Sequence, residues 1–361
     1  MRTARFGRRR LQPRSVEPTA NSQHGTEGMA KPNELQESDA VAEPQGTLTG
    51  LSPVTISGHY SPLAAVTLFD GDRLDLLREI GPGSARLVVT SPPYNIGKKY
   101  ETRSSLDEYL AEQSKTIAEC VRVLSESGSI CWQVGNHIGP KQEVYPLDAL
   151  LYPLFKAHGL LLRNRIVWHF EHGLHCSRRF SGRYETILWF TKGDDYVFNL
   201  DAVRVPQKYP GKKYFKGPKA GQYSCHPLGK NPGDVWVIPN VKWNHVEKTV
   251  HPCQFPVELI ERLTLALTEP GDLLVDPYMG VGTTAVAAVL HGRRAAGADI
   301  FAEYLDVARE RVRQAALGVL KTRPMDRPVY QPSPDSSLTR RPGLLHEVSP
   351  SSADDLPAGM Q

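Results

Sequence analysis

The chain has 361 residues, 40% apolar and 23% charged. That supplies a sizeable core and, at roughly 150 residues per domain, a soft expectation of two domains. No run approaches the ~18 apolar residues of a membrane span, and five cysteines in so long a chain exclude a disulfide scaffold and suit a reducing, cytoplasmic setting. Lysine and arginine total 43 against 39 acids, a net +4 that allows a polyanionic partner without requiring one.

Residues 1–60 open with Arg2, Arg5, Arg8, Arg9, Arg10 and Arg14 ahead of the first acid, Glu17, and then run polar and rich in proline and glycine. Without apolar periodicity they read as a disordered tail. The arginines are either a nucleic-acid tether or a solvated surface, and no amphipathic helix follows to make a cleaved organelle signal. After the tail the pattern changes. Apolar, β-rich runs at 65–69, 86–90, 129–134, 164–169, 185–190, 272–276 and 294–298 alternate with helical patterns at 106–124, 145–158, 256–267, 284–291 and 302–317. This predicts an α/β fold with a doubly wound, mostly parallel seven-stranded sheet covered on both faces. The run 187–190 follows another strand with no helix between, so one strand is expected to run antiparallel.

The stretch 199–247 breaks the alternation. Lys208, Lys212, Lys213, Lys216, Lys219 and Lys230 interleave with Tyr209, Tyr214, Phe215, Tyr223, Trp236 and Trp243. Such a mixture suits phosphate contacts and base stacking, and equally a surface insertion with its own small apolar cluster. It divides the ordered chain into halves at 61–198 and 248–317; residues 318–361, rich in proline, serine and arginine, read as a second loose tail. His172, His175, Cys176, Cys225 and His226 lack a regular Cys-x2-Cys pair, so they read as polar loop residues and no metal is expected.

Two strings carry chemistry. Thr90-Ser91-Pro92-Pro93-Tyr94 ends an apolar strand, where open α/β sheets bind ligands. Two prolines remove two donors and stiffen the chain, leaving carbonyl acceptors, a hydroxyl and an aromatic face that could hold a planar heterocycle bearing an NH2. The second string, Asp276-Pro277-Tyr278-Met279-Gly280-Val281-Gly282-Thr283-Thr284, reads as strand, glycine loop and helix start. Its glycines permit close backbone approach to a ligand, and its threonines can cap the helix. It is neither the dinucleotide fingerprint nor a phosphate-binding loop. Asp299, at the tip of the next strand, sits where such folds bind ribose hydroxyls; as a helix cap it would serve equally.

Together these strings resemble the permuted, beta class of DNA amino-methyltransferases. Thr90–Tyr94 matches that family's catalytic motif, and Asp276–Thr284 its cofactor motif, with Tyr278 where Phe is usual. His251-Pro-Cys-Gln-Phe-Pro256 matches the preceding element, with Phe255 where relatives more often have Lys. Gly297-Ala-Asp299 with Glu303-Tyr304, Gly71-Asp72, Arg179-Phe180 with Arg183-Tyr184-Glu185, and Asn231-Pro-Gly-Asp-Val-Trp236 also look familial. The resemblance covers residues 66–312, and its order, catalytic motif first and cofactor motif last, marks the permuted class.

The resemblance implies a methyltransferase sheet with a catalytic half, a target-recognition insertion and a cofactor-binding half, and S-adenosyl-L-methionine as cofactor. Ser91 Oγ and the Pro92 carbonyl would accept the two N–H groups of a base amine, Pro93 would stiffen the turn, and Tyr94 would stack on the flipped base. Asp276, Tyr278, Gly280, Gly282, Thr283 and Thr284 would hold the methionine part and Asp299 the ribose; Asp72 would either contact the cofactor or merely shape a turn. Double-stranded DNA is the implied partner, met by Arg179, Arg183, Lys208, Lys212, Lys213 and Lys216. A restriction endonuclease acting on the same site, and a monomer or homodimer, are compatible. Ser91 is typical of cytosine-N4 enzymes, while adenine-N6 enzymes usually carry Asp or Asn there; cytosine is favoured, with adenine as the alternative. Pro252-Cys253-Gln254 resembles the nucleophile motif of cytosine-C5 enzymes, but precedes the glycine loop instead of following it. A non-catalytic DNA-binding module would show erosion of either motif, and neither is eroded.

Overall fold

The computed structural model describes residues 54–98, 101, 103–171, 173, 175–329 and 333. The arginine cluster, His172 and most of the carboxy-terminal tail lie outside the described residues.

All seven predicted strands form: β2 (Val66–Asp70), β3 (Ala85–Thr90), β4 (Leu124–Val134), β7 (Leu161–His169), β8 (Tyr184–Thr191), β10 (Leu273–Asp276) and β11 (Arg294–Asp299). Two short edge strands, β1 (Ile56–Ser57) and β9 (Val235–Val237), widen the sheet to nine, in the order β1-β2-β11-β10-β3-β4-β8-β7-β9. Strands of two and three residues are too short to show a period. Every pairing is parallel except those of β8 with β4 and β7, so β8 is the one antiparallel strand of this sheet. A separate hairpin pairs β5 (Asn136–Ile138) with β6 (Val144–Pro146).

Strand alternation serves two covered faces. Leu87 and Val89 of β3 enter the core under α4 (Val257–Leu267), α5 (Thr283–Leu290) and α6 (Ala302–Ala316), whereas Val88 enters the core under α1 (Arg73–Glu79), α2 (Leu106–Val123) and α3 (Leu147–Ala157). Helix α2 starts at a reciprocal capping box of Ser105 and Glu108, and buries Tyr109, Gln113, Thr116, Ile117, Cys120 and Val123 at helical spacing. Helix α1 is not among the predicted elements, because its seven residues give barely two turns of pattern.

The stretch 199–247 is not wholly separate from the sheet. Its β9 pairs with β7, and Val203, Trp236 and Ile238 are buried in the core. The exposed part is its distal turn, where Tyr214 N donates to Gln222 O and Ser224 N to Lys212 O, both at 2.9 Å.

Sheet order places the functional ends. From β3 the chain crosses through α2 to β4 on one side; from β10 it crosses through α5 to β11 on the other. The neighbours β3 and β10 therefore flank a topological switch point, and a crevice opens beyond their carboxyl ends.

Candidate active site

Thr90 is the last residue of β3, and Ser91, Pro92, Pro93 and Tyr94 form the turn beyond it. Asn95 follows at φ 57°, in the left-handed region that asparagine tolerates. Its side chain exchanges two 2.8 Å bonds with the Ser104 backbone, while Glu101 accepts the N–H groups of Asn95 and Ile96 at 2.7 and 2.8 Å. The corner is thus held from behind. The Tyr94 hydroxyl lies 3.1 Å from Ser91 Oγ, and its one proton has two acceptors in reach, Gln133 Oε1 at 2.9 Å and Glu185 Oε2 at 3.2 Å. Burial raises the Tyr94 hydroxyl well above the usual tyrosine range, helped by the Glu185 charge, and burial also raises Glu185.

Asp276 ends β10 with no exposed surface. It accepts the Thr90 and Thr284 hydroxyls, each at 2.6 Å, and the Tyr278 N–H at 3.1 Å. Burial pushes its carboxyl up to about 6. It therefore ties β3, the glycine loop and α5 together. Gly282, not a threonine, occupies the helix cap, at φ 78° and without a side-chain cap bond; Thr284 is committed to Asp276. A Cβ on Gly282 would stand 2.7 Å from Ala308 Cβ, so glycine is required there for conformation and space alike. Gly280 N donates to Asp299 Oδ2 at 2.9 Å, and Asp299 Oδ1 accepts the Phe301 N–H at 2.9 Å. The residue preceding α6 in the cap position is Phe301, so Asp299 braces the loop instead of capping the helix.

Asp72 has both of its expected roles open. It caps α1 by accepting Leu74 N at 2.8 Å, pairs with Arg73 at 3.0 Å, and reaches the crevice. The unusual hydroxyl of Tyr278 accepts from Gln113 Nε2 at 3.1 Å, which accounts for a Tyr at that position.

One cavity of about 680 Å³ joins these parts. Ser91, Pro92, Pro93, Tyr94, Asp72, Tyr278, Gly280, Thr283 and Asp299 line it; Asp276, Gly282 and Thr284 stand behind its wall. The wall also holds Gln133, Glu185, His251, Phe301 and Tyr304, to which the sequence alone assigned no separate role. Gln133 carried a signal: it is a lone amide in an apolar strand, and is 2% exposed. His251 is pushed down to about 4 by burial and by Lys248, so it is neutral at pH 7. The cavity therefore presents hydrogen-bond acceptors at the proline corner, and carboxylates with aromatic rings around the glycine loop. Those acceptors and rings suit a ligand bearing ribose hydroxyls and positive charge.

The expected DNA contacts lie elsewhere. Arg179 and Arg183 belong to the β7–β8 connection, where Phe180 is fully exposed. Lys208, Lys212, Lys213 and Lys216 lie in the exposed distal turn, with Lys213 Nζ 5.1 Å from the Tyr223 ring centre and Phe215 90% exposed. None of the six lines the cavity. Cys253 does. Among the described residues no group of three His, Cys, Asp or Glu side chains gathers as metal ligands.

Residues 85–310 match the family described as DNA methylase. The type II methyltransferase M.BglII of Bacillus subtilis is 51% identical over 241 residues, 67% of either chain. The DNA adenine methyltransferase YhdJ of Escherichia coli K12 is 32% identical over 254 residues, 69% of this chain and 83% of that one. Among solved structures, the cytosine-N4-specific PvuII DNA methyltransferase superposes with a TM-score of 0.56 at 20% identity, over 72% of this chain and 94% of that one. A Thermus thermophilus protein described as a DNA modification methylase, solved with S-adenosyl-L-methionine, gives 0.50 at 26% identity, over 70% and 94%.

Proposed function

The chain belongs to the DNA methylase family, and on that basis we propose that it methylates the N4 amine of a flipped cytosine within a specific DNA site. It is a site-specific DNA amino-methyltransferase that uses S-adenosyl-L-methionine. The finer reading, cytosine N4, rests on Ser91 in the catalytic corner. Adenine N6 is the second reading, favoured by the likeness to YhdJ.

The observation that carries the mechanism is the shared cavity of Ser91 and Gly280. When bound, S-adenosyl-L-methionine supplies an electrophilic methyl on a sulfonium. The acceptor, an exocyclic amine, is a poor nucleophile because its lone pair is delocalised into the ring. With Ser91 Oγ and the Pro92 carbonyl accepting its two N–H groups, the nitrogen turns its lone pair towards the glycine loop. Tyr94 stacks on the extruded base, which leaves the duplex at a cost of a few kcal/mol. Asp299, braced by Gly280 N, takes the ribose, and neutral His251 adds no repulsion to the sulfonium. Orientation of donor and acceptor is the main lever, which is why Asp276 must lock both strings into one frame. The thiolate route through Cys253 has no support in a family that modifies amines. The exposed distal turn, with Arg179 and Arg183, contacts the duplex, and a restriction endonuclease sharing the site is the natural companion.

Nucleoside mass spectrometry of DNA from cells expressing the protein tests this reading. N4-methylcytosine, absent with Ser91→Ala, is expected. N6-methyladenine would select the second reading, and 5-methylcytosine would refute both.

A further inference from the structure

Ser91 raises a question of protons. After methyl transfer the amine carries one hydrogen too many, and a serine hydroxyl, unlike a carboxylate, cannot keep it. The structure places a carboxylate two hydrogen bonds away: Ser91 Oγ to Tyr94 Oη spans 3.1 Å, and Tyr94 Oη to Glu185 Oε2 spans 3.2 Å. Gln133 Nε2 donates to that same Glu185 oxygen, fixing it at the end of the line. All four residues line the cavity.

The geometry points to a proton relay in which Glu185, acting through Tyr94 and Ser91, takes up the proton released by the methylated amine. The balance is complete. The N–C bond forms and the S–C bond breaks, leaving a neutral thioether and a cationic amine. The amine proton passes to Ser91 Oγ as the serine proton passes to Tyr94 Oη and the tyrosine proton to Glu185, which ends neutral. Before reaction, the same carboxylate favours the positive charge that develops on the nitrogen. Glu185 is available for this because it has no ion pair among the described residues. The groups facing it are Tyr94 from the corner, Gln133 from β4 and Trp168 from β7, with His169 opposite Tyr184 one step along. His137 of β5 touches the far side, with Nδ1 3.3 Å from the Tyr94 carbonyl. The inference rests on the reading that Ser91 holds the target amine.

The test uses the full chain, tritiated S-adenosyl-L-methionine and genomic DNA from a host without DNA methylation, in single-turnover reactions across pH. Glu185→Gln, Tyr94→Phe and the double variant are compared. Tyr94→Phe keeps the stacking ring, and Glu185→Gln keeps the shape. Each single variant should slow transfer at least about tenfold, with cofactor affinity by calorimetry and DNA affinity unchanged. The double variant should be no slower than the worse single one. The acidic limb of the wild-type rate profile, set by Glu185 and lying above the ordinary carboxylate range because burial raises it, should vanish in Glu185→Gln. An unaltered rate and acidic limb in Glu185→Gln would overturn the relay, as would losses that multiply in the double variant. Wild-type protein that binds cofactor but methylates no DNA would instead bring down the functional reading, and the relay with it.

Discussion

Asp276 shows how one residue couples stability to the site. Its carboxyl titrates at about 6 when folded, up from 3.8, because burial disfavours the charge. As pH falls from about 6 to 4 the folded chain takes up this proton before the unfolded one, so this group's contribution to stability rises by on the order of 3 kcal/mol, and is lost again as pH rises through that window. Asp276→Asn should flatten the trend in denaturant unfolding followed across pH. Asp276→Ala should cost about 3 kcal/mol at neutral pH, because it strands the Thr90 and Thr284 hydroxyls. The resemblance gave Asp276 a place beside the cofactor's methionine part; its bonds to Thr90 and Thr284 are what the motif did not announce. A strand tip looks the same whether its side chain faces a ligand or two hydroxyls, one of them 186 residues away in the chain. Ser91 and Gly280 were legible because strand ends expose them by rule. Glu185 and Gln133 gained their place only when β4 and β8 paired, a contact that no local pattern announces.

At the scale of elements, long strands and helices were readable because each buries a face with a clear period. The short pieces, α1, β1 and β9, were not. Insertion residues 235–237 look like any loop until β7 accepts them as an edge. Close packing of the glycine loop on α6 gives a sharp expectation. Gly282→Ala must hold a left-handed backbone and displace Ala308, and should lower stability by about 1–3 kcal/mol, measurable as a fall in Tm. The distal turn gives the opposite case. Replacing Lys212, Lys213 and Lys216 together by Ala should leave Tm and cofactor affinity unchanged. It should weaken DNA binding and, if each meets a phosphate, reduce the slope of log affinity against log salt by about 3. An unchanged slope in a binding titration would remove that turn from the interface.

For the molecule as a whole, the permuted order is physically neutral. What matters is that β3 and β10 lie side by side with their crossovers diverging, so that Thr90 and Asp276, 186 residues apart in the chain, meet through a single 2.6 Å bond. The fold makes the corner and the loop two walls of one chamber, and the family's chemistry needs that chamber. A crystal structure with a non-reactive S-adenosyl-L-methionine analogue measures it directly. The ribose hydroxyls should sit on Asp299 and the transferable group should point at the space before Ser91, leaving about 3–3.5 Å for the incoming amine. An analogue seated away from Gly280, or with its sulfur turned from Ser91, would contradict it.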